Sequence, residues 1–146
     1  MAHMSNYLEN KLIDHLFRSV TFPVPTALYV GLFTATPSDT GGGTEVVGAG
    51  YARQNLAAGA TNWSGTQGTS ASPSTGTGGT TGNLVTITFP VATANWSGPM
   101  TAIGIFELLT GGNLLWWGPL TDPTKIVLSG DQFSFAPNQL TVRIDD

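Results

Sequence analysis

The side chains in this chain that could move protons or attack a bond are few, and their spacing does not suit that work. Of two histidines, His3 falls in Met1-Ala2-His3-Met4, which reads as a cloning remnant ahead of a natural start at Met4 and is set aside from the fold. His15 then stands alone, on what patterns as the polar face of a helix. General acid–base catalysis and nucleophile activation need a histidine with an oriented partner, so a solvated His15 is expected. No G-x-S-x-G elbow and no G-x-x-x-x-G-K-S/T loop occurs, and the glycines at 76–82 have neither the register nor the strand–helix frame of a dinucleotide site.

Five carboxylates merit a closer look: Asp39, Glu45, Glu107, Asp122 and Asp131. Paired across a cleft, two of them could hydrolyse a glycosidic bond. They sit in or near turns, however, where such side chains bind the local backbone, and structural work is the expectation. None has the D-x-[DN]-x-[DN]-G spacing of a calcium loop. Glu107 is unusual because it ends the apolar run Ile103-Gly104-Ile105-Phe106, and Arg53 or Lys125 is its expected partner. No catalytic, metal-binding or cofactor-binding residue is assigned, and no cofactor is expected.

The remaining signal is aromatic. Trp63, Trp96, Trp116 and Trp117 could stack on sugar rings or anchor a protein contact if exposed. In so charge-poor a chain they are expected to be core or half-core. Trp116 and Trp117 are adjacent, so on a strand they must point to opposite faces. Together with Leu8, Leu12 and Leu16 of the N-terminal segment, the four tryptophans are the candidate interface residues.

Composition narrows the partners. The chain has 146 residues, enough for one domain (residues 5–146) with its own core. It contains no cysteine, which excludes disulfides and thiolate metal sites. Only 10% of residues are charged, with net charge −4, and the five basic residues Lys11, Arg18, Arg53, Lys125 and Arg143 are scattered. Without a basic patch, neither nucleic acid nor an anionic membrane surface is an expected partner. No apolar run approaches the ~20 residues of a membrane span, and no secretory signal is seen. A surface of Thr, Ser, Asn and Gly suits assembly, since it loses water at less cost than charges do.

The elements that would position these residues follow from periodicity. Leu8, Leu12, Ile13, Leu16, Phe17 and Val20 share one face of a helix over residues 5–20, with Asn6 and Glu9 as its N-terminal cap and Pro23 and Pro25 beyond its end. The helix is expected to lie as a lid on apolar protein. Residues 26–35 read as a central strand buried on both faces. Further strands are expected at 51–58, 84–89, 100–107, 113–120, 125–128, 131–136 and 139–144, the last with one wet face. Turns are expected at Gly111-Gly112 and Ser129-Gly130-Asp131. The fold class is therefore mainly β: an antiparallel β-sandwich or barrel of about seven or eight strands behind one amphipathic helix. Residues 64–82, rich in Gly, Ser and Thr, form a long loop with no large apolar side chain. Asn62-Trp63-Ser64-Gly65 and Asn95-Trp96-Ser97-Gly98 echo each other, too briefly to indicate a duplication.

Several motifs in order resemble a family. Ser5-Asn6-Tyr7-Leu8-Glu9-Asn10 opens the helix. Pro25 to Thr34 (PTALYVGLFT), Thr44-Glu45-Val46, Gly50-Tyr51-Ala52-Arg53, Gly104-Ile105-Phe106, Gly111 to Leu115 (GGNLL) and Ser129 to Phe135 (SGDQFSF) follow. This series resembles the small virion proteins of tailed phages usually labelled tail fibre proteins, a group whose β-domains also serve as capsid decoration or cement proteins. The long 64–82 insertion and the Trp116-Trp117 pair depart from the usual pattern. The resemblance implies a non-enzymatic structural component of the virion, assembled in the bacterial host cytoplasm. Its implied partners are other virion proteins of the tail or the major capsid layer. A homo-oligomer is expected, with a trimer as its closed form. The alternative is a carbohydrate-binding module that meets a host surface glycan through exposed tryptophans.

Overall fold

The structure is a computed structural model and describes residues 2–65, 74 and 78–144. Among them, the elements in chain order are β1 (His3–Met4), α1 (Asn6–Phe17), β2 (Ala27–Ala35), β3 (Thr44–Glu45), β4 (Gln54–Ala57), β5 (Thr80–Gly82), β6 (Ile87–Thr88), β7 (Ala102–Phe106), β8 (Leu114–Pro119), β9 (Ser134–Phe135) and β10 (Thr141–Arg143). The main sheet runs β1-β8-β7-β2-β3, with β4 also on β2, and two small sheets pair β5 with β10 and β6 with β9. All pairings are antiparallel. The architecture is sandwich-like, not a closed barrel.

The central strand is β2, as its two-sided apolar pattern requires. Val30 and Leu32 face the main core, with Ile103 and Ile105 of β7 beside them. Phe33 faces the other side, where Ala102, Phe106 and Leu114 form a second, smaller cluster. Phe89 is the hub of the main core, with Tyr51, Trp96, Phe133 and Phe135 rings 5.8–6.4 Å away, mostly edge-on, the arrangement ring quadrupoles favour. Gly104 has a packing reason to lack a side chain: a Cβ there would lie 2.9 Å from Phe33, Phe106 and Leu114 side chains at once.

Several expectations need correction. His3 and Met4, set aside in the sequence reading, are part of the fold: they pair with Trp117 and Trp116 and extend the sheet past β8. The helix is shorter than residues 5–20 and is capped one residue earlier. Ser5, not Asn6, accepts from the Leu8 amide, and its hydroxyl also donates to the Leu114 carbonyl, so one side chain both caps α1 and ties it to β8. The helix stops at Phe17 because Ser19 takes a left-handed conformation at φ 57°, well before the prolines.

Residues 125–128 form no strand. Lys125 and Val127 accept single bonds from Met100 and Trp96, two isolated bonds that do not make a ladder. Val127 still reaches the core. At the far end of the 64–82 excursion, Thr80–Gly82 is strand, paired with Thr141–Arg143. Ser64 clamps its base to Gly82 and Thr81. The expectation of a single loop from 64 to 82 otherwise falls on residues 66–73 and 75–77, which lie outside the described residues. Along the last strand Leu140 and Val142 are buried, Thr141 and Arg143 face water, and Ile144 is exposed past its end.

Candidate interaction surface

Each candidate carboxylate is taken up by its own neighbourhood. Asp122 accepts from the Thr124 amide and hydroxyl, which hold its carboxyl below the usual range. Asp131 accepts from the Leu128 amide, and Asp39 from the Trp117 indole. Glu107 bonds neither Arg53 nor Lys125. It accepts from the backbone and side-chain amides of Asn113 and from the Tyr7 hydroxyl, closing the β7–β8 turn and holding α1 against it. Burial and the neighbouring Glu107 charge both push the Tyr7 hydroxyl upward.

Glu45 belongs to a denser knot. β3 and β4 pair with opposite ends of the same edge of β2, leaving a gap at Gly31 and Leu32. Tyr51 fills it: its hydroxyl accepts from the Leu32 amide and donates to Glu45 Oε1, both at 2.9 Å. Arg53 grips both Glu45 oxygens at 2.8 Å and donates to the Leu108 and Gly111 carbonyls of the β7–β8 turn. Its guanidinium lies 3.4 Å from the centre of the Phe106 ring. A bidentate, stacked arginine is one of the stronger polar ties available to a protein. Gly31 makes it possible, since a Cβ there would lie 2.9 Å from Glu45 Oε1. Burial pushes the Tyr51 hydroxyl far above its usual range. All three residues serve to join strands.

The tryptophans are mostly internal. Trp96 is 4% exposed, lies in the main core and donates to the Ala49 carbonyl, so it offers nothing to a partner. Trp63 is half-buried against the same core and donates to the Leu56 carbonyl. Trp116 and Trp117 diverge as adjacent strand residues must: Trp116 packs on the main core and Trp117 on the smaller cluster, where it stacks on His3. No pair of them lies open on a common face, which a sugar platform would need.

The leucines of α1 divide. Leu8 is 7% exposed and is used up inside the chain, and Leu12 is half-buried. Leu16, by contrast, is 69% exposed. Phe17 at 81%, Ile13, and Val20 and Val24 past the helix are exposed as well. The apolar residues of the helix do not form one narrow stripe: at 3.6 residues per turn Ile13 and Phe17 lie roughly 140° and 180° around the axis from Leu8. The face of Leu8 packs on the chain, and Ile13, Leu16 and Phe17 are left facing water. Beside the helix, a groove of about 350 Å³ runs between Tyr7, Lys11, Phe22 and Val24 on one side and Glu107 and Leu108 on the other.

A second outward patch was not foreseen. Ile126 and Leu128 flank the buried Val127 and are both about half exposed, and Val91 is exposed beside the buried Ala92. The Ala92 amide donates to the Asp131 carbonyl and its carbonyl accepts from the Gly130 amide, which fastens this segment to the 128–131 turn. A cleft of about 590 Å³ lies elsewhere, between Gly118–Leu120 and Phe133–Phe135, with Asp122, Lys125 and Gln139 around it. Among the described residues no three His, Cys, Asp or Glu side chains gather as a metal site would require. Among them, too, no helix is long and apolar enough to cross a membrane.

The fold is a β-sandwich with one N-terminal helix, its five candidate carboxylates bonded within the frame and part of its hydrocarbon facing out. The sequence comparison gives the family. The model of the family described as Podophage GP4 fiber I protein gp80 matches residues 3–143, and the chain belongs to that family. It is a phage fibre-type, structural virion protein. No curated protein matches it.

Proposed function

We propose that this chain is a non-catalytic building block of a tailed-phage virion, associated with the tail, which works by binding other virion proteins and further copies of itself. The observation that carries the reading is the outward side of α1: Ile13, Leu16 and Phe17 are exposed, although a soluble monomer gains nothing by wetting them. The family supports the tail-associated setting. Freedom from catalysis is supported by the employment of all five candidate carboxylates as acceptors of structural bonds. Assembly takes place in the bacterial host cytoplasm.

Cross-linking followed by mass spectrometry on purified virions tests this reading. The expected result is cross-links from residues 11–25 of this chain to another virion protein or to a second copy. Absence of the chain from the particle would sink it.

A further inference from the structure

His15, expected in solvent, is exposed but has a partner. Its Nδ1 accepts from the Phe22 backbone amide at 3.2 Å, across the bend that ends α1. Ser19 turns the chain there at φ 57°, and the Val20 amide returns to the Asp14 carbonyl. Among the described residues, the bond to His15 is the one hydrogen bond that ties residues 21–25 to the rest of the chain. Those residues are the strap between α1 and β2, and they border the groove of about 350 Å³ that Lys11 and Glu107 also line.

A ring nitrogen that accepts an N–H can carry no proton of its own. The bond therefore exists only while His15 is neutral, with its proton on Nε2. Protonation places an N–H on both ring nitrogens, and two donors then face each other at Phe22. Imidazole is the side chain that ordinarily changes charge between pH 5 and 8. From this geometry we propose that His15 is a proton-operated latch. Neutral, it holds the strap to the last turn of α1; charged, it lets the strap go.

The surroundings leave the ring as the switching group. On its own helix the charged neighbours are Lys11 one turn back and Asp14 and Arg18, which pair with each other at 2.9 Å. From Ser19 to Pro25 the strap carries no titratable side chain. Tyr7 and Glu107 also border the groove, and Glu107 is engaged by Tyr7 and Asn113. Release is local, because the start of α1 stays fastened through Ser5, which bonds both Leu8 and Leu114. Acid thus frees the strap and reshapes the groove without unfolding the chain.

Amide NMR of the full chain between pH 8 and pH 5 tests the latch. In the wild type, the Phe22 amide resonance should move with the same midpoint as the His15 ring signals. Its protection from hydrogen exchange, corrected for the pH dependence of exchange itself, should fall about fivefold, the worth of one ordinary hydrogen bond. His15→Asn keeps an acceptor near the place of Nδ1 with no proton to gain, and His15→Leu removes the acceptor, so neither should respond to acid. Glu107→Gln should keep the wild-type response. A Phe22 amide indifferent to the ring's titration would overturn the latch, and so would an acid response that persists in either His15 variant. A response abolished by Glu107→Gln would also overturn it, by assigning the switch to the carboxylate. The circular dichroism spectrum should be the same at both pH values, and loss of helix or sheet signal at pH 5 would overturn a local release.

Discussion

Ser64 and Ser97 hold their neighbours by the same pair of bonds. The Ser64 amide donates to the Gly82 carbonyl while its hydroxyl accepts from the Gly82 amide, both at 2.9 Å. The Ser97 amide donates to the Val47 carbonyl at 2.8 Å, and its hydroxyl accepts from the Val47 amide at 3.0 Å. Before each serine stands a tryptophan whose indole donates to a backbone carbonyl, and before that an asparagine whose side chain bonds the backbone. The brief N-W-S-G echo is thus one local device used twice. It turns a ring inward and clips an irregular segment to its neighbour where no regular ladder can form. Ser64→Ala and Ser97→Ala should each cost about 1 kcal/mol, and the losses should add because the sites are remote. Urea midpoints of the single and double variants check this, and strong non-additivity would contradict it.

The Tyr51 hydroxyl makes a separate prediction about alkaline pH. Folded, its burial keeps the phenol protonated far above the ordinary 10.0, with the Glu45 charge adding to the effect. Unfolded, it ionises near pH 10. Above that pH the unfolded chain sheds a proton that the folded chain keeps, so stability must fall as pH rises past 10. Tyr51→Phe should cost about 1–3 kcal/mol at neutral pH, because the Leu32 amide and Glu45 lose a partner. Its stability should then decline less steeply above pH 10 than that of the wild type. Parallel slopes in chemical denaturation at pH 9 and above pH 10 would show that Tyr51 does not carry the effect.

Gly104 tests how tightly the smaller cluster is packed. Adding one methyl would crowd Phe33, Phe106 and Leu114 together, and two of those three belong to β2 and β7, which cannot separate without breaking the sheet. Gly104→Ala should destabilise by about 1–3 kcal/mol, as overpacking does. The neighbouring Ile105→Val, which removes a methyl from the main core instead, should cost about 0.5–1.5 kcal/mol. Thermal melts that rank the two in reverse would mean the cluster can relax.

Much of this fold could be read from residue order. The two-faced apolar run at 27–35 gives the central strand, and the adjacency of Trp116 and Trp117 sends one ring to each side of the sheet. The knot was harder to see. Glu45 and Arg53 lie eight residues apart in segments with little periodicity, and only the gap in the ladder beside β2 gives Tyr51 its place between them. The short strands β3 and β5 escaped for a related reason. Two or three residues of Thr, Glu and Gly carry no alternation, and only their long-range partners make them strands. The Ile126–Leu128 patch was misread as strand because alternation shows that neighbouring side chains diverge, not whether the backbone finds a partner.

The helix allows the sharpest contrast between holding the monomer together and presenting a surface. Leu8 and Phe17 are both apolar and lie nine residues apart on α1, about half a turn around the axis from each other. Leu8 is enclosed, so Leu8→Ala should cost about 2–4 kcal/mol and loosen the lid. Phe17 is 81% exposed, so Phe17→Ser should change monomer stability by no more than about 0.5 kcal/mol, despite removing the larger side chain. Association should respond in the opposite order. At dilutions where the chain is monomeric, denaturation should rank Leu8→Ala far below Phe17→Ser. At high concentration, sedimentation should show Phe17→Ser losing the larger species that Leu8→Ala still forms wherever it remains folded. If Phe17→Ser unfolds as readily as Leu8→Ala, the outward side of α1 is packed within its own chain and is not a surface.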